Sequence, residues 1–168
     1  MPRAPRIEYA RALYHVMNWG NHYQKIVRDG KDGEVFLETL GEACGAADWS
    51  VHAFAVMGNH YHLLLETHRA TLVKGMQWIN STHTLRYNGR HKLRGHLFQG
   101  RYKAIVVDGE AGYFRAVTDY VHMNPVRAGL VKTAEGLVKW PGGSAGWLTG
   151  DRGGRPGWVR VGEGVSGV

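Results

Sequence analysis

Two histidines separated by one residue, His60 and His62, lie in an apolar, β-prone run at residues 56–66. Side chains alternate between the two faces of a strand, so both imidazoles share a face if this run is extended. Imidazoles at that spacing can bind one divalent metal ion. Strand histidines with only local hydrogen bonds are a common alternative, so the metal hypothesis needs a second signal.

The second signal is the segment 119–131, which contains Tyr120 and Asn124. Residues four apart lie on one face of a helix. An asparagine oxygen suits Mg²⁺ or Mn²⁺ as a third ligand, whereas the single Cys44 makes a closed zinc site a poor alternative. A tyrosine beside such a metal could act as a nucleophile once it is activated. The alternatives are a half-buried aromatic at Tyr120 and a helix stop at Asn124.

The composition favours an anionic partner. The 168 residues include 21 Lys and Arg against 14 Asp and Glu, a net charge of +7. This balance indicates nucleic acid first and a membrane surface second. One cysteine excludes an internal disulfide, and neither a membrane span nor a secretory signal is apparent. We therefore expect a cytoplasmic protein.

Periodicity and turn residues predict an α+β domain. The expected elements are a strand at 10–18, a helix at 32–48, strands at 49–56 and 60–66, a helix at 71–87, a strand within 96–107 and a helix at 108–123. The first six follow the β-α-β-β-α-β pattern of a ferredoxin-like fold, an antiparallel sheet with both helices on one face. The last helix carries Tyr120, and we expect Pro125 to end it near Met123.

The C-terminal part has a different composition. Eleven of the 24 glycines lie at or after Gly136. We therefore predict one domain at 1–140 and a glycine-rich tail at 141–168 that is partly disordered. Trp140, Trp147 and Trp158 could attach parts of this tail to the domain.

Several segments together resemble one protein family. The His60-Tyr61-His62 motif resembles the HUH motif of single-tyrosine, IS200-like transposases, and residues 120–131 resemble the tyrosine helix of their REP-associated branch (the RAYT proteins). The matching segments occur in the family's order and cover residues 2–140; the others are 6–8, 12–16, 20–21 and 95–104.

This resemblance implies a ferredoxin-like HUH fold and a divalent metal, Mg²⁺ or Mn²⁺, held by His60, His62 and Asn124. It implies that Tyr120 attacks a phosphodiester of single-stranded DNA and leaves a 5′-phosphotyrosine and a free 3′-OH. Another 3′-OH could then rejoin the strand. The family's substrates are palindromic REP hairpins. The candidate DNA contacts are the loop 90–94 and the residues Arg3, Arg6, Arg101, Lys103 and Arg127.

The sequence departs from the family at Trp19, where Arg is frequent, at Gly58, where Pro is usual, and at residues 142–147. None of these departures removes a proposed ligand or the nucleophile, and the last two concern loop geometry and the C-terminal element, and so positioning and DNA specificity. Two other functions are open: a hairpin-binding protein that no longer cuts, and a metal-dependent nuclease in which water attacks. The sequence also leaves open whether the protein is a monomer or a homodimer, and which base activates Tyr120.

Overall fold

The computed structural model describes residues 2, 4–148 and 154–161. The elements follow the predicted order and add a short helix after the tyrosine helix. They are β1 (Ala12–Trp19), α1 (Gly30–Ala47), β2 (Trp49–Val56), β3 (His60–Thr67), α2 (Leu72–His91), β4 (Lys103–Val106), α3 (Ala111–Arg127) and α4 (Ala134–Lys139). Within the described part of the chain, no helix is both long and apolar enough to cross a membrane.

The four strands form one antiparallel sheet in the order β2-β3-β1-β4. This order is the one that a β-α-β-β-α-β chain adopts in a ferredoxin-like fold, so the predicted fold class is confirmed. In the central pair, Trp19 lies opposite His60 and Met17 opposite His62. The two histidines of β3 are therefore next to the end of β1.

Strand alternation divides the apolar residues between two cores. On one face of the sheet, residues such as Tyr14, Leu63 and Leu65 pack with Phe36 of α1 and Met76 of α2. On the opposite face, a smaller core joins the sheet to α3. It contains Leu13, Ala53, Ala55, Leu64, Val107 and Val121, with Phe114, Val117 and Trp140 packed against it. The helix that carries Tyr120 thus covers the sheet face that carries His60 and His62.

The expectation that α3 ends near Met123 is wrong. The helix continues to Arg127 with Pro125 inside it. Pro125 lacks an N–H, but its carbonyl still accepts a hydrogen bond from the Leu130 N–H. The backbone carbonyl of Asn124 likewise accepts from the Ala128 N–H. Because the proline lies in the last turn, it removes a single helical hydrogen bond and leaves the carbonyl side intact.

The glycine-rich segment contacts the outer edge of β2. Val56 N–H donates to the carbonyl of Gly142, and Val51 pairs through both backbone groups with residues 158 and 160. Trp147 and Trp158 pack against the larger core. The division into domains at residue 140 stays a prediction.

Candidate active site

His60 and His62 lie on the sheet face that α3 covers, as strand alternation predicts. The side chain of His62 is buried, with 4% of the residue exposed, and His60 is partly exposed. Burial lowers the pKa of His60, and burial together with the charges of His15 and His60 lowers the pKa of His62 to about 3. Both imidazoles are therefore neutral at physiological pH, which is the form that binds metals.

Each of these imidazoles is held through its Nδ1 atom. His62 Nδ1 lies 3.0 Å from Nε2 of His15, and His60 Nδ1 lies 2.7 Å from the side-chain oxygen of Asn59. His15 is 8% exposed, and burial lowers its pKa as well. These hydrogen bonds occupy Nδ1 of both His60 and His62 and leave each Nε2 as the atom that can bind a metal.

The indole of Trp19 packs against the imidazole of His60. The two rings are stacked, with 5.9 Å between their centroids and 10° between their planes. Lys103 Nζ lies 5.3 Å from the centroid of the Trp19 ring, in cation–π range. The position that departs from the family pattern therefore contacts a candidate ligand and has a cation beside it.

The ring of Tyr120 on α3 makes T-shaped contacts with two histidine rings. Its ring centroid is 5.7 Å from that of His15 and 5.9 Å from that of His62, at angles of 71° and 83°. The guanidinium carbon of Arg127 lies 4.7 Å from the Tyr120 centroid. Tyr120 is 38% exposed, so a substrate in solvent can reach it.

Asn124 lies one turn after Tyr120 and is 8% exposed. Its side-chain nitrogen donates to the Tyr120 carbonyl over 2.8 Å. This bond leaves the amide oxygen as the atom that can bind a cation. Two neutral imidazoles and an amide oxygen form a donor set that suits Mg²⁺ or Mn²⁺. Among the residues that the structure describes, no three His, Cys, Asp or Glu side chains form a metal-binding group.

A buried hydrogen-bond network holds α3 on the sheet. His122 Nε2 and the Ser144 hydroxyl share a hydrogen bond of 2.7 Å, and Phe54 N–H donates to the same hydroxyl over 2.8 Å. Burial lowers the pKa of His122 to about 4. His122 therefore joins α3 to β2 and the C-terminal segment, and Ser144 fixes the tyrosine helix from a region where the sequence predicts little structure.

The predicted DNA contacts fall into different environments. Lys103 and Arg127 lie at the site, as described above, and Arg101 is exposed just before β4. The Arg6 guanidinium donates to the Tyr102 carbonyl and lies 4.0 Å from the centroid of the Tyr102 ring, so it anchors the segment before β1. Arg3 lies outside the described residues.

The candidate loop 90–94 is partly engaged in ion pairs. Arg90 contacts Asp29 and Asp32 at 2.8 and 2.9 Å, and His91 contacts Asp32 at 2.7 Å. These pairs tie the end of α2 to the start of α1. Lys92 and Arg94 of this loop are exposed as well.

His15 is a site residue that the motifs do not predict, although the sequence holds a signal for it. Alternation on β1 places His15 on the same face as Leu13 and Met17, and a β1–β3 pairing brings that face next to His62. The Trp19–His60 stack follows from the same register. Ser144 has no comparable signal, because its position depends on how the glycine-rich segment returns to β2.

Comparisons with known proteins agree with this architecture. A solved structure of a REP-associated tyrosine transposase bound to a REP hairpin matches with a TM-score of 0.67, over 85% of this chain and 82% of that one. The sequences are 16% identical, so this likeness shows the fold alone. A candidate transposase from Deinococcus radiodurans R1 is also 16% identical, over 72% of this chain and 95% of that one. Its TM-score of 0.49 is too low to support a conclusion.

No curated protein sequence matches the chain. The sequence model of the family described as "Transposase IS200 like" matches residues 8–124, well over half of the chain. The matched range includes His15, His60, His62, Tyr120 and Asn124. The chain therefore belongs to the IS200-like transposase family.

Proposed function

We propose that this protein cleaves and rejoins single-stranded DNA at palindromic, REP-type hairpins, with Tyr120 as the nucleophile. The observation that carries the proposal is the contact between the Tyr120 ring and the rings of His15 and His62, at 5.7 and 5.9 Å. Packing of α3 on the sheet does not by itself require a partly exposed tyrosine in contact with two neutral imidazoles. Family membership supports enzymatic activity in general.

In the proposed reaction, the Tyr120 oxygen attacks the scissile phosphorus and the bond from phosphorus to the 3′ oxygen breaks. The phenol loses its proton, and the leaving 3′ oxygen gains one. The products are a 5′-phosphotyrosine and a 3′-OH. Attack by a 3′-OH on the phosphotyrosine reverses these changes and joins the strands. The bond energy is conserved in the covalent intermediate, so no nucleotide hydrolysis is needed.

His60, His62 and Asn124 would hold the divalent ion, Mg²⁺ or Mn²⁺. When bound, such an ion polarises the scissile phosphate and offsets its negative charge. Arg127 stabilises negative charge near the Tyr120 ring, and Lys103 supplies a second cation on the side of Trp19. We assign no residue as the base for Tyr120.

Hairpin DNA as the substrate class is supported by the protein of the same fold that was solved with a REP hairpin. The net charge of +7 suits a phosphate backbone. Arg101, Lys103 and Arg127 are the proposed DNA contacts in the described part of the chain. Arg6 would contribute only if its contact with Tyr102 opened.

The test is a denaturing gel of the protein with labelled single-stranded DNA that carries palindromic hairpins from the host genome. The reactions contain either Mn²⁺ or EDTA. We expect a protein–DNA band that survives denaturant, requires Mn²⁺ and is lost in Tyr120→Phe. Tyr113→Phe is the matched control, because Tyr113 is an exposed tyrosine on the same helix; it should keep the band.

Two results would replace the proposal. Free cleavage products that form equally in Tyr120→Phe would indicate a nuclease in which water attacks. A hairpin-specific shift on a native gel, without any cleavage in Mn²⁺, would indicate a DNA-binding protein that has lost the chemistry. Binding in the second case should weaken steeply with salt.

A further inference from the structure

His15 is the buried polar residue at the site that the proposed reaction does not use. Its Nε2 lies 3.0 Å from His62 Nδ1, and the two rings are stacked at 5.2 Å with 29° between their planes. The same ring makes a T-shaped contact with the ring of Tyr120. His15 thus touches both the candidate metal ligand and the candidate nucleophile, from the neighbouring strand β1.

A hydrogen bond between two neutral imidazoles joins one ring nitrogen that carries a proton to one that does not. A metal bound at Nε2 of His62 requires the His62 proton on Nδ1. This N–H then donates to Nε2 of His15, which must carry its own proton on Nδ1. Ligation by His62 through Nε2 therefore fixes the tautomer of both rings.

We propose that His15 is a positioning residue that accepts the Nδ1–H of His62 and so presents His62 Nε2 to the divalent metal ion. This inference rests on the proposed function, because it concerns the same metal site. It adds a residue that acts through His62 and does not itself bind the metal. A hydrogen-bond acceptor behind a metal-binding imidazole orients the ring and raises its basicity.

The proposal has a consequence for the proton of Tyr120. In the metal-bound arrangement, Nε2 of His15 is occupied by the His62 hydrogen bond and Nδ1 carries the remaining proton. A neutral His15 then has no free lone pair. His15 is therefore excluded as the base for Tyr120 in that state, although it is next to the ring.

A purely structural role is the competing explanation, since a stacked ring also fills space between α3 and the sheet. Two substitutions separate these roles. His15→Phe keeps an aromatic ring and removes the acceptor. His15→Gln loses the ring but can place an amide oxygen near the position of Nε2. A packing role predicts that phenylalanine is the better replacement, whereas the positioning role predicts that glutamine is.

The experiment measures Mn²⁺ binding to the full chain without DNA, from the loss of the free-ion EPR signal. We expect His15→Phe to weaken Mn²⁺ binding by about 10- to 100-fold, the usual effect of losing such a partner. His15→Gln should bind within a few-fold of the parent protein. Thermal unfolding in EDTA gives the stability of each variant and should not follow the Mn²⁺ affinities.

A second measurement reads the protons directly. Ring-nitrogen NMR of the ¹⁵N-histidine protein in saturating Mg²⁺ should give the Nδ1–H tautomer for both His15 and His62. A proton on Nε2 of His15 would overturn the proposal. Equal Mn²⁺ affinity in His15→Phe and the parent, or glutamine weaker than phenylalanine, would also overturn it.

The two proposals fail in different ways. If the parent protein does not bind Mn²⁺, or binds it equally well after His62→Ala, then the metal site itself is wrong and the proposed function fails with it. If His62→Ala abolishes binding while His15→Phe does not change it, then only the role of His15 is wrong.

Discussion

Arg127 lies over the ring of Tyr120, with its guanidinium carbon 4.7 Å from the ring centroid. The two residues are seven positions apart on α3, so two helical turns bring them to the same face. The ring of Tyr120 thus contacts a cation of its own helix and two neutral imidazoles of the sheet. In the proposed reaction, the Arg127 cation would stabilise the negative charge that forms when the Tyr120 phenol loses its proton.

Replacing this cation should slow the covalent step. We expect Arg127→Gln to reduce the single-turnover rate of adduct formation by about 10-fold, an effect of roughly 1.4 kcal/mol on the barrier. Rates on a denaturing gel and hairpin affinity at two salt concentrations separate chemistry from binding. Arg115→Gln removes the same charge from an exposed position of α3 and is the control. Equal rates for both variants would contradict a specific role for Arg127.

The contact of Tyr120 with His15 and His62 of the same chain predicts that each molecule completes its own site. A mixture of Tyr120→Phe and His62→Ala proteins should therefore form no adduct in Mn²⁺. In a dimer that exchanges its tyrosine helices, each mixed pair would contain one intact site, and the mixture would recover activity. Recovery that increases with total protein concentration would show that the helix acts on a partner.

Much of the site could be predicted because it depends on local periodicity. The strand expected at 60–66 is observed as His60–Thr67, and the helix expected at 71–87 as Leu72–His91. Alternation alone places His60 and His62 on one face. The helical spacing of Tyr120 and Asn124 is likewise local, and their hydrogen bond joins residues one turn apart.

The remainder depends on contacts between distant residues. The fourth strand is only Lys103–Val106, and the earlier part of the predicted segment forms an isolated bridge at the end of β1, where Gln99 N–H donates to the Trp19 carbonyl. Arg101 therefore precedes the strand, and only Lys103 of these two candidate DNA contacts lies on β4. The contact between His15 and His62 needs the β1–β3 register, which no local pattern of β1 specifies.

Buried histidines should make the fold sensitive to acid. His83 Nε2–H donates to the Ile26 carbonyl over 2.9 Å, and His83 is fully buried. Burial lowers the pKa of His83, and Arg86 lowers it further, against the opposing effects of the Ile26 carbonyl and Asp32. As the pH falls through about 6.5, His83 takes up a proton in the unfolded chain but not in the folded one. Its full contribution to the free energy of unfolding is therefore present above that pH and is lost progressively below it.

His83→Gln, which can keep a donor for Ile26 but does not titrate, should flatten this acid dependence. Urea unfolding at pH 7.5, 6 and 5 gives the free energy of unfolding for both proteins. We expect the parent to lose up to about 1 kcal/mol per pH unit more than the variant below pH 6. The other histidines are common to both proteins. Parallel profiles would mean that His83 is not the residue that titrates.

Two glycines of α2 should respond in opposite ways to the same substitution. A Cβ at Gly75 would lie 2.1 Å from Cζ2 of Trp49, whereas a Cβ at Gly89 meets no atom within 4 Å. The Trp49 indole cannot move freely, since its N–H donates to the Thr71 hydroxyl. Gly75→Ala should therefore destabilise the fold by about 1–3 kcal/mol, as overpacking does.

Gly89→Ala should instead stabilise the protein by about 0.5–1 kcal/mol, because alanine loses less backbone entropy in a helix. Thermal or urea unfolding measures both changes. A gain in stability for Gly75→Ala would show that α2 and β2 leave room for a methyl group beside Trp49.

The pairing of the C-terminal segment with β2 matters for the chain while it is being synthesised. The outer backbone groups of Val51 bond to residues 158 and 160, and the other edge strand, β4, is only four residues long. An unpaired strand edge is a template for another chain. Until residues 158–160 have left the ribosome, the sheet can fold but its longer edge stays open. Residues 158–160 would therefore shield this edge from pairing with another chain, and chains released before these residues are made would lack the shield.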